Sequence, residues 1–234
     1  MDIADERIRE AVAKTEVLRT PRQTLFTFGR TAIDYYLLTE PAYSELTGGT
    51  NETVIREGRV LAERPRIVTP HYLSGLEGFS GDAQQYFDAL MEEYGPHMAG
   101  VLYTYQNEPR EMNIVSNNLP EVVDRLNADI DRRGDPLAAI IKGPDELWDV
   151  SLVKFIFELT HRSLVGNINE MGARGLFRMD ARGVPADARL RIEELFRQAA
   201  HGEVPPSVLK EELDRWGLYD EYEDRFLSIF RKRR

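Results

Sequence analysis

Up to Gly143-Pro144 the chain mixes strand-like and helical patterns; beyond that point apolar residues recur only at helical spacings. The sequence therefore predicts an α+β fold: a mainly antiparallel sheet with packed helices, followed by an all-helical C-terminal region. The corresponding division is an α+β domain over 1–145 and a helical region over 146–234 packed on it, with a hinge at the glycine-punctuated stretch 166–185.

In the front part, Ile8, Ala11, Val12 and Leu18 give residues 3–19 a helical stripe. Thr20-Pro21 ends it, because the residue before proline is pushed out of the α region. Aromatic and β-branched residues predict a strand at 24–28 and another at 31–38, for which a helix is the competing reading. Glu57-Gly58 reads as the turn of a hairpin joining 53–56 to 59–62, glycine supplying a positive φ. Residues 66–69 resume a strand, Gly75, Gly78 and Gly81 mark a loop, and Asp82 with Gln85 caps a helix over 83–94. A second hairpin is expected over 100–116, with Asn107-Glu108-Pro109-Arg110 as its loop. Asn118 followed by Glu121 opens a helix that Gly134 closes. The wholly apolar run 137–141 reads as a central strand.

In the rear part, Trp148 to Val165 is apolar almost all round, which predicts a helix packed on most sides. Helices at 187–200, 206–216 and 217–231 follow, and the last carries Tyr219, Tyr222, Phe226 and Phe230 on one face.

Composition removes several chemistries. The absence of cysteine among 234 residues rules out disulfides, thiolate metal sites and cysteine nucleophiles. A net charge of −10 disfavours binding to phosphate backbones, although Arg231-Lys232-Arg233-Arg234 forms one local basic run. The acidic start and the lack of a long apolar stretch predict a cytoplasmic protein without a membrane segment.

No HExxH, P-loop, GxSxG or EF-hand pattern is present, the four histidines lack metal-ligand spacing, and no cofactor is implied. The candidate catalytic groups are His71, at the end of a predicted strand, and Glu158 and His161 on the 148–165 helix. Lys154, Glu158, His161 and Arg162 form one polar stripe there, either a solvent-facing edge or the wall of a cleft against the sheet. Arg30, Tyr35, Tyr103, Tyr105 and Arg110 carry the aromatic and guanidinium vocabulary of a stacking platform, which ordinary hairpin cores share. Tyr222 and Phe226 would bind a partner if their face were free and join the core if it packed.

Three functional readings follow. The leading one is a non-enzymatic binding or adaptor protein whose partner is another protein or a second copy of the chain. The second is a hydrolase or transferase with a site between the sheet and helix 148–165. The third is nucleic-acid or ribosome association, which requires Arg30, Arg110 and the basic tail to meet.

Overall fold

The structure, a computed structural model, describes residues 3–43, 51–69, 72, 92 and 99–231. By its internal contacts the chain forms two compact units, Met1–Arg64 with Tyr103–Asn167, and Pro65–Leu102 with Ile168–Arg234. Gly143-Pro144 lies within the first. The predicted helix 83–94 and its glycine loop fall outside the described residues.

The first unit is a mixed sheet with a helix on each face. Its strands are β1 (Glu16–Arg19), β2 (Thr31–Thr39), β3 (Thr53–Ala62), β6 (Tyr105–Val115) and β7 (Ala138–Lys142), in the order β1-β7-β2-β3-β6. All neighbours run antiparallel except β2 and β7. The mainly antiparallel α+β fold is thus as predicted. β7 sits at the centre of its side of the sheet, and its Ala138 to Ile141 are buried on both faces. This is why the segment is apolar without alternation.

Helix α1 is Ile3–Lys14 and helix α2 is Leu119–Arg133. Asn118 caps α2 by accepting from the Glu121 N–H at 3.0 Å, and Gly134, at φ 65°, ends it in the left-handed conformation. The stripe Val122, Leu126 and Ile130 packs on Tyr36, Leu38, Ile55 and Ile140. Helix α3, Trp148–Ala173, packs Leu152, Phe155 and Leu159 on the opposite face, against Ile33, Tyr35, Leu37, Val60 and Ile141.

Four local expectations change. The first helix stops at Lys14 and residues 16–19 join the sheet as β1. The Lys154 ammonium donates to the carbonyls of Val12 and Thr15 at 3.1 and 2.8 Å, satisfying the freed helix end. Residues 24–28 are not a strand: Leu25 N–H donates to Ser163 Oγ and Thr27 to Asn167, so α3 side chains replace a ladder. Glu57-Gly58 is not a turn but the middle of β3. Likewise Asn107 to Arg110 lies inside β6.

One irregularity explains both misplaced turns. Gly58 pairs with Pro109 and Glu57 with Glu111, so Arg110 is the extra residue of a β-bulge. Pro109 is tolerated because β6 is an edge strand, where a missing N–H costs little. Gly58 is needed for space: a Cβ there would lie 2.3 Å from the Tyr35 hydroxyl oxygen.

The second unit contains the strand pair β4 (Arg66–Val68) and β5 (Gly100–Leu102), together with α4 (Ala186–His201), α5 (Pro206–Arg215) and α6 (Tyr219–Arg231). Its core joins Val68 and Tyr72 to Ile192, Leu195, Leu209, Leu213, Trp216 and Phe226. The C-terminal region is helical, as expected. The expected hinge region is helical as far as Ala173, after which residues 174–185 form turns that an isolated bridge between Met179 and Pro185 holds together. Among the described residues no helix is long and apolar enough to cross a membrane.

Candidate functional site

The five residues of the expected aromatic platform are divided among three places. Tyr35, Tyr103 and Tyr105 do meet, on the α3 face of the sheet, with the rings of Tyr103 and Tyr105 stacked 6.5 Å apart. Their hydroxyls are spoken for: Tyr35 donates to Asn107 at 3.0 Å, Tyr103 accepts from Asn167 at 3.1 Å, and Tyr105 bonds to Thr160. Burial holds all three phenols above their ordinary pKa, with these hydrogen bonds opposing it where they stabilise the anion. Tyr35 is core, and Tyr103 and Tyr105 are half-buried against it with their hydroxyls engaged. Arg30 is elsewhere, paired with Glu63 at 2.5 Å on the surface.

Arg110 faces the α2 side. The bulge turns it toward Asp34, which it reaches at 3.3 Å while Arg59 grips both carboxylate oxygens at 2.8 and 3.2 Å. Beside them Glu57 and Glu111 stand directly opposite each other. Burial raises the Glu57 carboxyl above its usual range and the Glu111 charge raises it further. The result is a charged sheet surface with compensated arginines and one strained carboxylate. Sequence reasoning missed Asp34 and Glu57. The signal that could have found them is the bulge, which the Gly58 and Pro109 turn signals concealed.

Helix α3 supplies the largest departure from expectation. One side is core, but Val153, Phe157 and Val165 are 64, 69 and 68% exposed. These residues, spaced by four and eight, lie along the outward side. Glu158 and His161 are exposed on this helix too, and Lys154 pairs with Glu158 at 3.7 Å. Arg162 donates to the Pro21 carbonyl at 2.9 Å. The polar stripe is therefore the solvent-facing edge, and His161 is not gathered with a second base or nucleophile by any hydrogen bond of the described residues. His71 falls outside those residues.

A cleft of about 500 Å³ opens where β2 and β7 end, the place at which parallel strands commonly receive ligands. Arg7, Lys14, Glu40, Lys142, Asp145 and Glu146 line it. Arg7 pairs with Glu146 at 2.8 Å. Burial opposes the charge on Asp145, but hydrogen bonds from Thr39 and Arg56 outweigh it and hold the carboxyl below its usual range. Among the described residues its lining contains no histidine and no hydroxyl, so these residues offer a small polar molecule charge rather than a nucleophile.

In the second unit Phe226 is 6% exposed in the core, and Tyr222 packs on Phe196 with ring centroids 5.4 Å apart. Of the aromatic face of α6, Phe226 is core and Tyr219 and Tyr222 are half-buried against it, while Phe230 is exposed. In the same unit, Glu212 accepts from Tyr72 and Trp216, both at 3.2 Å, and pairs with Arg66 at 3.4 Å. Among the described residues no three His, Asp or Glu side chains are grouped as for a metal ion. The chain matches no protein-family model, no curated protein and no solved structure.

Proposed function

We propose that this is a non-enzymatic, cytoplasmic binding protein that meets another protein chain through the outward face of α3. The observation carrying this reading is the row Val153, Phe157 and Val165, each about two-thirds exposed on the side of the helix away from the sheet. Scattered exposed apolar residues are ordinary, whereas an aligned row on one rigid helix fits a partner surface. The aromatic face of α6 gives an interaction less support, because Phe226 is buried and Tyr222 half-buried within their own unit. The enzymatic alternative between the sheet and α3 loses support for a similar reason: Glu158 and His161 are exposed.

A second copy of the chain is the first partner to consider. In an antiparallel crossing about a two-fold axis between Glu158 and His161, each carboxylate would face the other copy's imidazole, as an isologous interface requires. Sedimentation equilibrium of the wild type and of Phe157→Glu tests this, joined to photo-crosslinking in cells from a reactive residue at 157. The expected result is self-association or a specific crosslink that the charged variant loses. A wild type that stays monomeric at high micromolar concentration and yields no crosslink from this face refutes the reading.

A further inference from the structure

The second unit contains a cleft of about 490 Å³ formed by the turns 174–185, α4 and α6. Its apolar lining is Leu176, Met179, Val184, Ala186, Leu190 and the ring of Tyr222. Leu176 and Val184 are anchored in the core at 5 and 3% exposure, while Leu190 is 57% exposed. A wall with both a buried floor and an exposed apolar lip is suited to covering a hydrocarbon or aromatic body.

The charges around the cleft are unevenly compensated. Asp180 accepts from the backbone of Arg182 and Val184 and from Arg189 at 2.9 and 2.6 Å. Arg189 also pairs with Glu221 at 2.7 Å, and Glu193 takes a bidentate pair from Arg225 at 2.6 and 2.7 Å. These groups neutralise one another. Arg178 is different. Its Nε donates to the Gly175 carbonyl at 3.3 Å, and among the described residues no carboxylate pairs with its guanidinium. The head lies against the bare Cα of Gly175, where an added Cβ would meet Nε at 2.9 Å and Cζ at 3.2 Å. Gly175, at φ 69°, thus both turns the chain and makes room for the arginine to fold back at the cleft.

We propose that this cleft binds a small apolar carboxylate, a hydrocarbon or aromatic body whose single anionic head pairs with the terminal nitrogens of Arg178. A guanidinium beside an apolar wall suits a planar carboxylate, which it can meet with two parallel hydrogen bonds. The hub at Asp180 braces the turns, so little ordering is needed on binding. This inference concerns a different surface from α3 and stands or falls independently of the interaction reading.

Decanoate, with decanamide as its uncharged counterpart, is the probe. Methyl signals of Leu176, Met179 and Val184 are followed by NMR in the full-length protein during titration. Decanoate is expected to shift these methyls saturably and to bind about tenfold or more tightly than decanamide, the factor of one charge-assisted pair. Arg178→Gln, a change at an exposed side chain, should remove that preference while leaving decanamide binding as it was. Leu190→Gln should weaken both probes. Equal binding of the two probes, shifts confined to other methyls, or a decanoate preference that survives Arg178→Gln would overturn the proposal.

Discussion

Glu212→Met should cost the second unit about 3–5 kcal/mol, the usual penalty for removing one partner of a buried, hydrogen-bonded charge pair. The carboxylate is 7% exposed and is the shared acceptor for Arg66, Tyr72 and Trp216. Its loss strands a mostly buried guanidinium, and Tyr72, only 1% exposed, keeps a hydroxyl whose remaining partner among the described residues is Arg66 at 2.6 Å. Arg66→Met should cost a similar amount, because it leaves the carboxylate buried without its cation. If the two side chains acted independently, the double variant would lose about 6–10 kcal/mol. The geometry instead predicts a double variant no worse than either single one, since either change already destroys the pair. Urea denaturation in a Trp148→Phe background reads this directly, as Trp216 is then the only indole and donates to Glu212 itself. Additive losses, or a Glu212→Met variant within about 0.5 kcal/mol of wild type, the range of an ordinary surface change, would refute the reasoning.

Two further outcomes concern the first unit. Glu57 has its carboxyl pKa raised by burial and by Glu111, so the folded state binds its proton more tightly than the unfolded state does, and stability falls as pH rises through the carboxylate range. Glu57→Gln should therefore stabilise the protein at pH 7 by about 0.2–1 kcal/mol, the scale of a cross-strand pair, with the gain vanishing in acid; thermal melts at both pH values check it. Gly58→Ala should cost about 1–3 kcal/mol through overpacking, because its Cβ would meet the Tyr35 ring, itself 1% exposed. Replacing Tyr35 with leucine should relieve part of that cost, and a neutral Gly58→Ala melt would show that the ring can move.

Elements whose signals are local were legible in the sequence. Asn118, Glu121 and Gly134 bracket α2 because caps act over three or four residues, and the apolar run at β7 needs no partner to be recognised. Errors arose where a residue type answers to something distant. Gly58 reads as a turn until Tyr35 is seen above it, and Pro109 reads as a loop until β6 is known to be an edge. Across the ladder the two face each other, so the same bulge produced both mistaken hairpins. Helix α3 misled in another way, because composition counts apolar residues without saying how many sides a neighbour covers. The gathering of Tyr35 with Tyr103 and Tyr105 was foreseeable as a cluster. The placing of Arg110 on the opposite face was not, because reading 107–110 as a loop hid that it stands five residues along one strand from Tyr105, where alternation turns it away.

The second unit is assembled from stretches that the ribosome delivers far apart. The Ile67 N–H waits for the carboxylate of Asp187, and Arg66 waits for Glu212, which emerges 146 residues later. Chain synthesis must therefore carry β4 and β5 unpaired with their helices through the making of β6, α2, β7 and most of α3. Loop closure over such distances is slow, so the nascent chain should pass through a long-lived stage with the first unit formed and Val68, Tyr72 and Leu102 uncovered. For the same reason no single cut yields the second unit alone: a fragment starting at Ile168 lacks Val68 and Tyr72 from its core.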